Sequence, residues 1–176
     1  MKQFAVFKKD RPDAVLAYCD TKQEANDEII GMAEDTDDMV FDYDVREIET
    51  QEPAEICPTY EIACKYLGRD PKVAISSDGN AYVKPLEAMH KLLTIGEAWN
   101  KIDGFIPDYG NRSQTKWFPY FYYDKDSAGF VCAATNNAPA TATASIGSRP
   151  CFKSSNRARQ FGEMFAELYN IAILEK

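Results

Sequence analysis

The residues that invite chemistry lie in one stretch, Gly147-Ser148-Arg149-Pro150-Cys151-Phe152-Lys153-Ser154-Ser155-Asn156-Arg157-Ala158-Arg159. Ser154 or Ser155 can cap a helix here. The free amides of a helix's first turn carry partial positive charge, which favours acids. Lys153, Arg157 and Arg159 stand at that end instead. A bound anion would relieve the conflict: Lys153, Ser154, Ser155, Arg157 and Arg149 would supply hydroxyls, free amides and bases to a phosphate or carboxylate. The alternative is that these bases pair with Asp or Glu from elsewhere in the fold.

A second constellation is Trp117-Phe118-Pro119-Tyr120-Phe121-Tyr122-Tyr123, six aromatics in seven residues. If extended, the segment turns Trp117, Phe121 and Tyr123 one way and Phe118, Tyr120 and Tyr122 the other. Trp117, Tyr120 and Tyr122 are the candidate aromatic surface. Beside the basic helix start, such rings could stack the bases of a single-stranded nucleic acid. The competing expectation is that half the rings are core.

Other chemistry lacks its residues. No two glycines are spaced for a dinucleotide fingerprint, and no glycine-lysine-serine or -threonine triplet exists for a phosphate loop. The single histidine, His90, rules out HExxH, and no serine or cysteine is fixed near it by sequence. Cysteines 19, 57, 64, 132 and 151 have neither disulfide-framework nor zinc-knuckle spacing and read as reduced thiols. Asp35 and Asp37 could begin a calcium loop, but Met39, Val40 and Arg46 then occupy positions that need an oxygen, a glycine and a glutamate. No metal or cofactor is implied.

These residues sit in a chain of 176 with 45% hydrophobic and 12% aromatic residues, enough to bury a core. The net charge of −8 argues against a surface that grips polyanions everywhere and against a polybasic membrane binder. Residues 1–52 hold six bases and fifteen acids, and the remainder fourteen bases and thirteen acids. The acidity therefore belongs to the first third, and the shift near Gln51-Glu52-Pro53 suggests a boundary between residues 1–52 and 57–176. The acidic part could itself face a basic partner protein or imitate nucleic-acid charge. No apolar run of signal-peptide or membrane-spanning length is present, so a cytoplasmic location is expected.

Two apolar runs, Gln3–Lys8 and Ala14–Cys19, flank a turn at Arg11-Pro12-Asp13 and predict a hairpin. Thr21-Lys22-Gln23-Glu24 is a capping box for a helix over about 22–33, and Met39 to Ile48 alternates as a strand. The order is ββαβ. Beyond residue 57, Pro58-Thr59 opens a helix closed by Gly68, and Ser77-Asp78-Gly79-Asn80 suggests a hairpin turn or an ordered loop. Residues 86–102 form the strongest helix, with Ala88, Leu92, Ile95, Trp99 and Ile102 in one stripe, widened by Leu86, Met89 and Leu93. Its polar face carries His90, Thr94, Glu97 and Lys101. Strands are expected at 117–123, 130–134 and 149–153, with a loop over 135–144 and a final helix from Ser154 or Ser155 almost to Leu174. Pro119 lacks an amide donor, so its strand is expected at an edge or to begin near this residue.

Residues 57–174 resemble a family of uncharacterised small proteins from Bacteroides-type gut bacteria and their phages or mobile elements. The motifs are Ala63-Cys64-Lys65-Tyr66-Leu67-Gly68, Leu93-Thr94-Ile95-Gly96-Glu97-Ala98-Trp99-Asn100, Trp117-Phe118-Pro119 and Gly147–Ser154. Gly96 stands where alanine is usual in the family, and Pro150 where leucine or another aliphatic residue is expected. The resemblance implies a small cytoplasmic accessory protein.

The expected fold is α+β: an N-terminal ββαβ module, then an α+β domain with an antiparallel, aromatic-rich sheet packed by helices. The expected function is non-enzymatic binding, with a protein partner ahead of single-stranded nucleic acid and no membrane. The alternative is an enzyme whose site is assembled only by the fold.

Overall fold

The computed structural model describes residues 2–36, 38–49, 51–72, 81–111, 114–126, 128–138 and 149–174. Strands β1 (Lys2–Lys8) and β2 (Arg11–Cys19) pair as an antiparallel hairpin, and β3 (Tyr43–Glu49) joins the other side of β1. Helix α1 (Lys22–Asp35) links β2 to β3, completing ββαβ. Its start is the capping box: Thr21 Oγ1 accepts the Glu24 amide at 3.1 Å, and Glu24 Oε2 accepts the Thr21 amide at 3.3 Å. Alternation in β1 sends Phe4 and Val6 towards Ala25 and Ile29 of α1, together with Ala17, Cys19, Tyr43 and Val45. The opposite set, Gln3, Ala5 and Phe7, is buried too, so the central strand is covered on both faces.

The strand expected from Met39 starts only at Tyr43. Val40–Asp42 is a 3-10 turn in which the Asp42 carboxylate accepts the Met39 amide at 2.9 Å. Local capping overrides the alternating pattern here and leaves Met39, Val40 and Phe41 exposed.

The second segment contains α2 (Pro53–Ile56), α3 (Tyr60–Leu67), α4 (Val83–Ile102), β4 (Lys116–Asp124), β5 (Gly129–Ala138), α5 (Ser155–Met164) and α6 (Ala166–Leu174). Thr59 caps α3, and Gly68 closes it at φ 71°, where the lack of a Cβ matters. Helix α4 begins before Pro85, and its buried stripe centres on Trp99. The rings of Phe152, Phe161 and Phe165 meet that indole edge-on at 5.1–6.3 Å, while its Nε1 donates to the Cys57 carbonyl at 2.9 Å. Thr94, expected on the polar face, is buried and donates to the His90 carbonyl at 2.9 Å. Leu86 and Leu93, expected to widen the core, are exposed.

Strands β4 and β5 pair antiparallel with a bulge at Tyr120/Phe121. The expected third strand reduces to one bridge, Phe152 to Trp117. At the outer edge of β5, Asn170 of α6 takes a strand's place: its side chain accepts the Phe130 amide at 2.6 Å and donates to the Phe130 carbonyl at 3.0 Å. Helix α5 lies close on the hairpin because Gly162 has no side chain. A Cβ there would stand 2.8 Å from Pro119 Cβ and 2.6 Å from Cys132 Sγ. The single expected C-terminal helix is divided at Phe165. Residues 135–138, expected in a loop, extend β5, whereas the hairpin turn at 77–80 and the rest of the 135–144 loop lie outside the described residues. The architecture is α+β, and among the described residues no helix is long and apolar enough to cross a membrane.

Candidate functional site

The basic helix start carries a different structure from an anion cradle. Ser154 is the N-cap of α5, its Oγ accepting the Arg157 amide at 3.2 Å. Arg157 is buried, and all five of its N–H donors have partners. Nε and Nη2 reach Asp103 at 2.8 and 3.2 Å, Nη1 reaches Glu52 and Gln160 at 2.6 and 2.7 Å, and Nη2 also reaches the Gln51 carbonyl at 3.3 Å. Lys153 is buried as well, with Nζ 3.0 Å from Asp103 Oδ1 and 4.8 Å from the centre of the Tyr18 ring. Burial holds its pKa below the usual lysine value, with Arg157 adding to that and Asp103 opposing it.

The anion that this helix start calls for is therefore supplied internally, by Asp103. Ser155 is also occupied, its Oγ 2.6 Å from Thr135 Oγ1. Only Arg149 of the five candidate residues is exposed. The cluster ties together residues 18, 51–52, 103 and 153–157, so it joins the N-terminal module to the rest of the chain. Asp103 has a signal in the sequence that the helix start alone does not reveal. It directly follows α4, where the helix dipole disfavours an acid, and that misfit is the complement of the basic start of α5.

The candidate aromatic residues divide by face. Trp117 and Phe121 pack against the core, and Phe121 stacks on Tyr169 with centroids 4.3 Å apart. Tyr120 and Tyr122 point to the opposite side and expose 53% and 52% of their surface. Trp117 is thus not part of the aromatic surface, because the inward parity of β4 claims it. Among the described residues the outer edge of β4 is paired only at Trp117, consistent with Pro119 lacking an amide hydrogen.

A feature without a sequence motif is a groove of about 520 Å³ between α4 and the segments 104–109 and 149–151. Pro150 packs on Gly96 at its base. Asn100 Nδ2 donates to the Cys151 carbonyl at 2.8 Å, and Tyr109 Oη lies 3.3 Å from Cys151 Sγ. Burial is the main influence on that thiol and pushes its pKa up, which keeps it protonated and a poor nucleophile at neutral pH. Cys19 is pushed up further, to about 12, by burial and then by Glu28, Glu24 and Asp20. His90 lies exposed on α4 beside the Tyr60 ring, with centroids 6.1 Å apart.

Comparisons of the chain with family models, with curated proteins and with solved structures find no match.

Proposed function

We propose that this protein is a non-enzymatic, cytoplasmic binding or adaptor protein of the phage or mobile-element kind, which engages a partner protein through the outer face of the β4–β5 hairpin. The observation that carries this is the pair Tyr120 and Tyr122, two residues apart on one face and each about half exposed. Tyrosines in such a position offer large, stiff contact area with a polar tip, the kind of residue that anchors protein interfaces. Nucleic acid is the weaker reading. Stacking on single strands needs cations that follow the backbone, and Lys153 and Arg157, the bases nearest in sequence to that role, are bound to Asp103 and Glu52.

The test compares the wild-type chain with Tyr120→Ser/Tyr122→Ser as baits in extract of the native host, alongside titration of a labelled single-stranded oligonucleotide at two salt concentrations. The expected result is a partner retained by the wild type and lost by the variant at unchanged melting temperature, with no salt-sensitive oligonucleotide binding. Equal recovery by both baits would sink the proposal. Oligonucleotide binding that weakens with salt and is lost in the variant would replace it with the nucleic-acid reading.

A further inference from the structure

The groove beside α4 combines apolar walls with unmatched positive charge. Leu93, Phe105, Ile106 and Pro107 line it, and Leu93 and Ile106 are exposed, Ile106 to 81%. A volume of about 520 Å³ is in the range that holds a small organic ligand. Three charged side chains line the same groove: Glu97, Lys101 and Arg149. Glu97 is neutralised by a two-point contact with Arg69, at 2.6 and 2.8 Å. Lys101 lies over the Tyr66 ring and Arg149 over the Tyr109 ring, at 5.6 and 4.9 Å, and among the described residues neither has a carboxylate partner. Lys116, on the same Tyr109 ring at 5.7 Å, is buried, donates to backbone carbonyls and does not line the groove.

These cations stand in contrast with Lys153 and Arg157 at the start of α5, which share Asp103. An apolar slot rimmed by Lys101 and Arg149, which have no carboxylate partner among the described residues, selects for one chemistry: a ligand with an apolar body and an anionic head, the body covering Leu93 and Ile106 and the head meeting Arg149 and Lys101. We propose that this groove is a binding site for a small amphiphilic anion of the alkyl or aryl carboxylate class. It is separate from the Tyr120/Tyr122 face and does not depend on the function proposed for that face.

The probes are octanoate, octanol and octyltrimethylammonium, which share a chain length and differ in head charge. Each is titrated into the 15N-labelled chain and followed by amide shifts. The expected order of affinity is octanoate, then octanol, then the ammonium, with shifts centred on residues 93–109 and 149–151. Lys101→Gln/Arg149→Gln should weaken octanoate by about tenfold and leave octanol within about twofold. Ile106→Asn, at a position too exposed to support the fold, should weaken both. Octanoate binding no tighter than octanol, an unchanged octanoate affinity in the charge variant, shifts centred on Tyr120 and Tyr122, or no saturable binding of any probe would each overturn the proposal.

Discussion

Gly96 and Pro150 occupy one another's space. A β-carbon on Gly96 would lie 2.5 Å from Pro150 Cβ and 3.1 Å from its Cγ, so the proline ring fits against α4 only because residue 96 has no side chain. The contact ties α4 to the segment that precedes α5. It sets the base of the groove.

Gly96→Ala and Gly31→Ala should therefore have opposite signs. Both glycines lie within helices, where alanine has the higher propensity by about 1 kcal/mol. Gly31 has nothing within 4 Å of an added Cβ, so its substitution should stabilise the protein by about 0.5–1 kcal/mol. At Gly96 the collision with Pro150 reverses the gain, and a net loss of about 1–3 kcal/mol is expected from overpacking. Urea denaturation of the two variants measures both, and a stabilising Gly96→Ala would show that the α4–Pro150 contact yields readily.

Asp103→Asn should be among the most damaging single changes in the chain. It keeps the shape of the side chain but leaves the positive charges of Lys153 and Arg157 buried without their shared carboxylate, a situation that costs about 3–5 kcal/mol. Glu52 pairs with Arg157 and keeps 19% of its side chain in contact with solvent, so Glu52→Gln should cost clearly less. Adding Lys153→Met to Asp103→Asn removes one orphaned charge and should recover part of the loss. Denaturant melts on the three variants give the comparison; an Asp103→Asn loss under about 1 kcal/mol would mean that water reaches the cluster and screens it.

The parts of the fold that were legible in the sequence are those decided within a few residues. Thr21 and Glu24 cap each other across three positions, Gly68 closes α3 through its own φ, and the Trp99 stripe repeats along one helix. The parity of β4 was legible as well, but not which of its faces would be covered. That depends on Gly162, 43 residues beyond Pro119, bringing α5 close to the hairpin. The electrostatic misfit at Lys153 and Arg157 was visible, whereas its resolution sits at Asp103, 54 residues before Arg157 and on the end of another helix. The groove had no local signature, because Leu93, Ile106 and Arg149 come together only through packing.

Asp38 should make the N-terminal module sensitive to acid. Its carboxylate accepts from Lys8 Nζ at 2.7 Å and from Tyr43 Oη at 2.9 Å, with Thr36 Oγ1 also 2.9 Å away. Those hydrogen bonds, that from Lys8 first, hold its pKa below the ordinary value of 3.8, while desolvation opposes them more weakly. A carboxyl whose pKa is depressed by folding contributes stability that is complete above its unfolded pKa. The contribution is lost as pH falls through the lower, folded value, below which both states bind the proton. Asp38→Asn removes the titrating group and two of its acceptor roles at once. The wild-type chain should accordingly be more stable than Asp38→Asn near pH 6, and the difference should shrink progressively below about pH 4. Urea midpoints of both proteins between pH 2.5 and 6 measure this directly. A difference that stays constant across the range would show that Asp38 holds Thr36 and Tyr43 by shape rather than by charge.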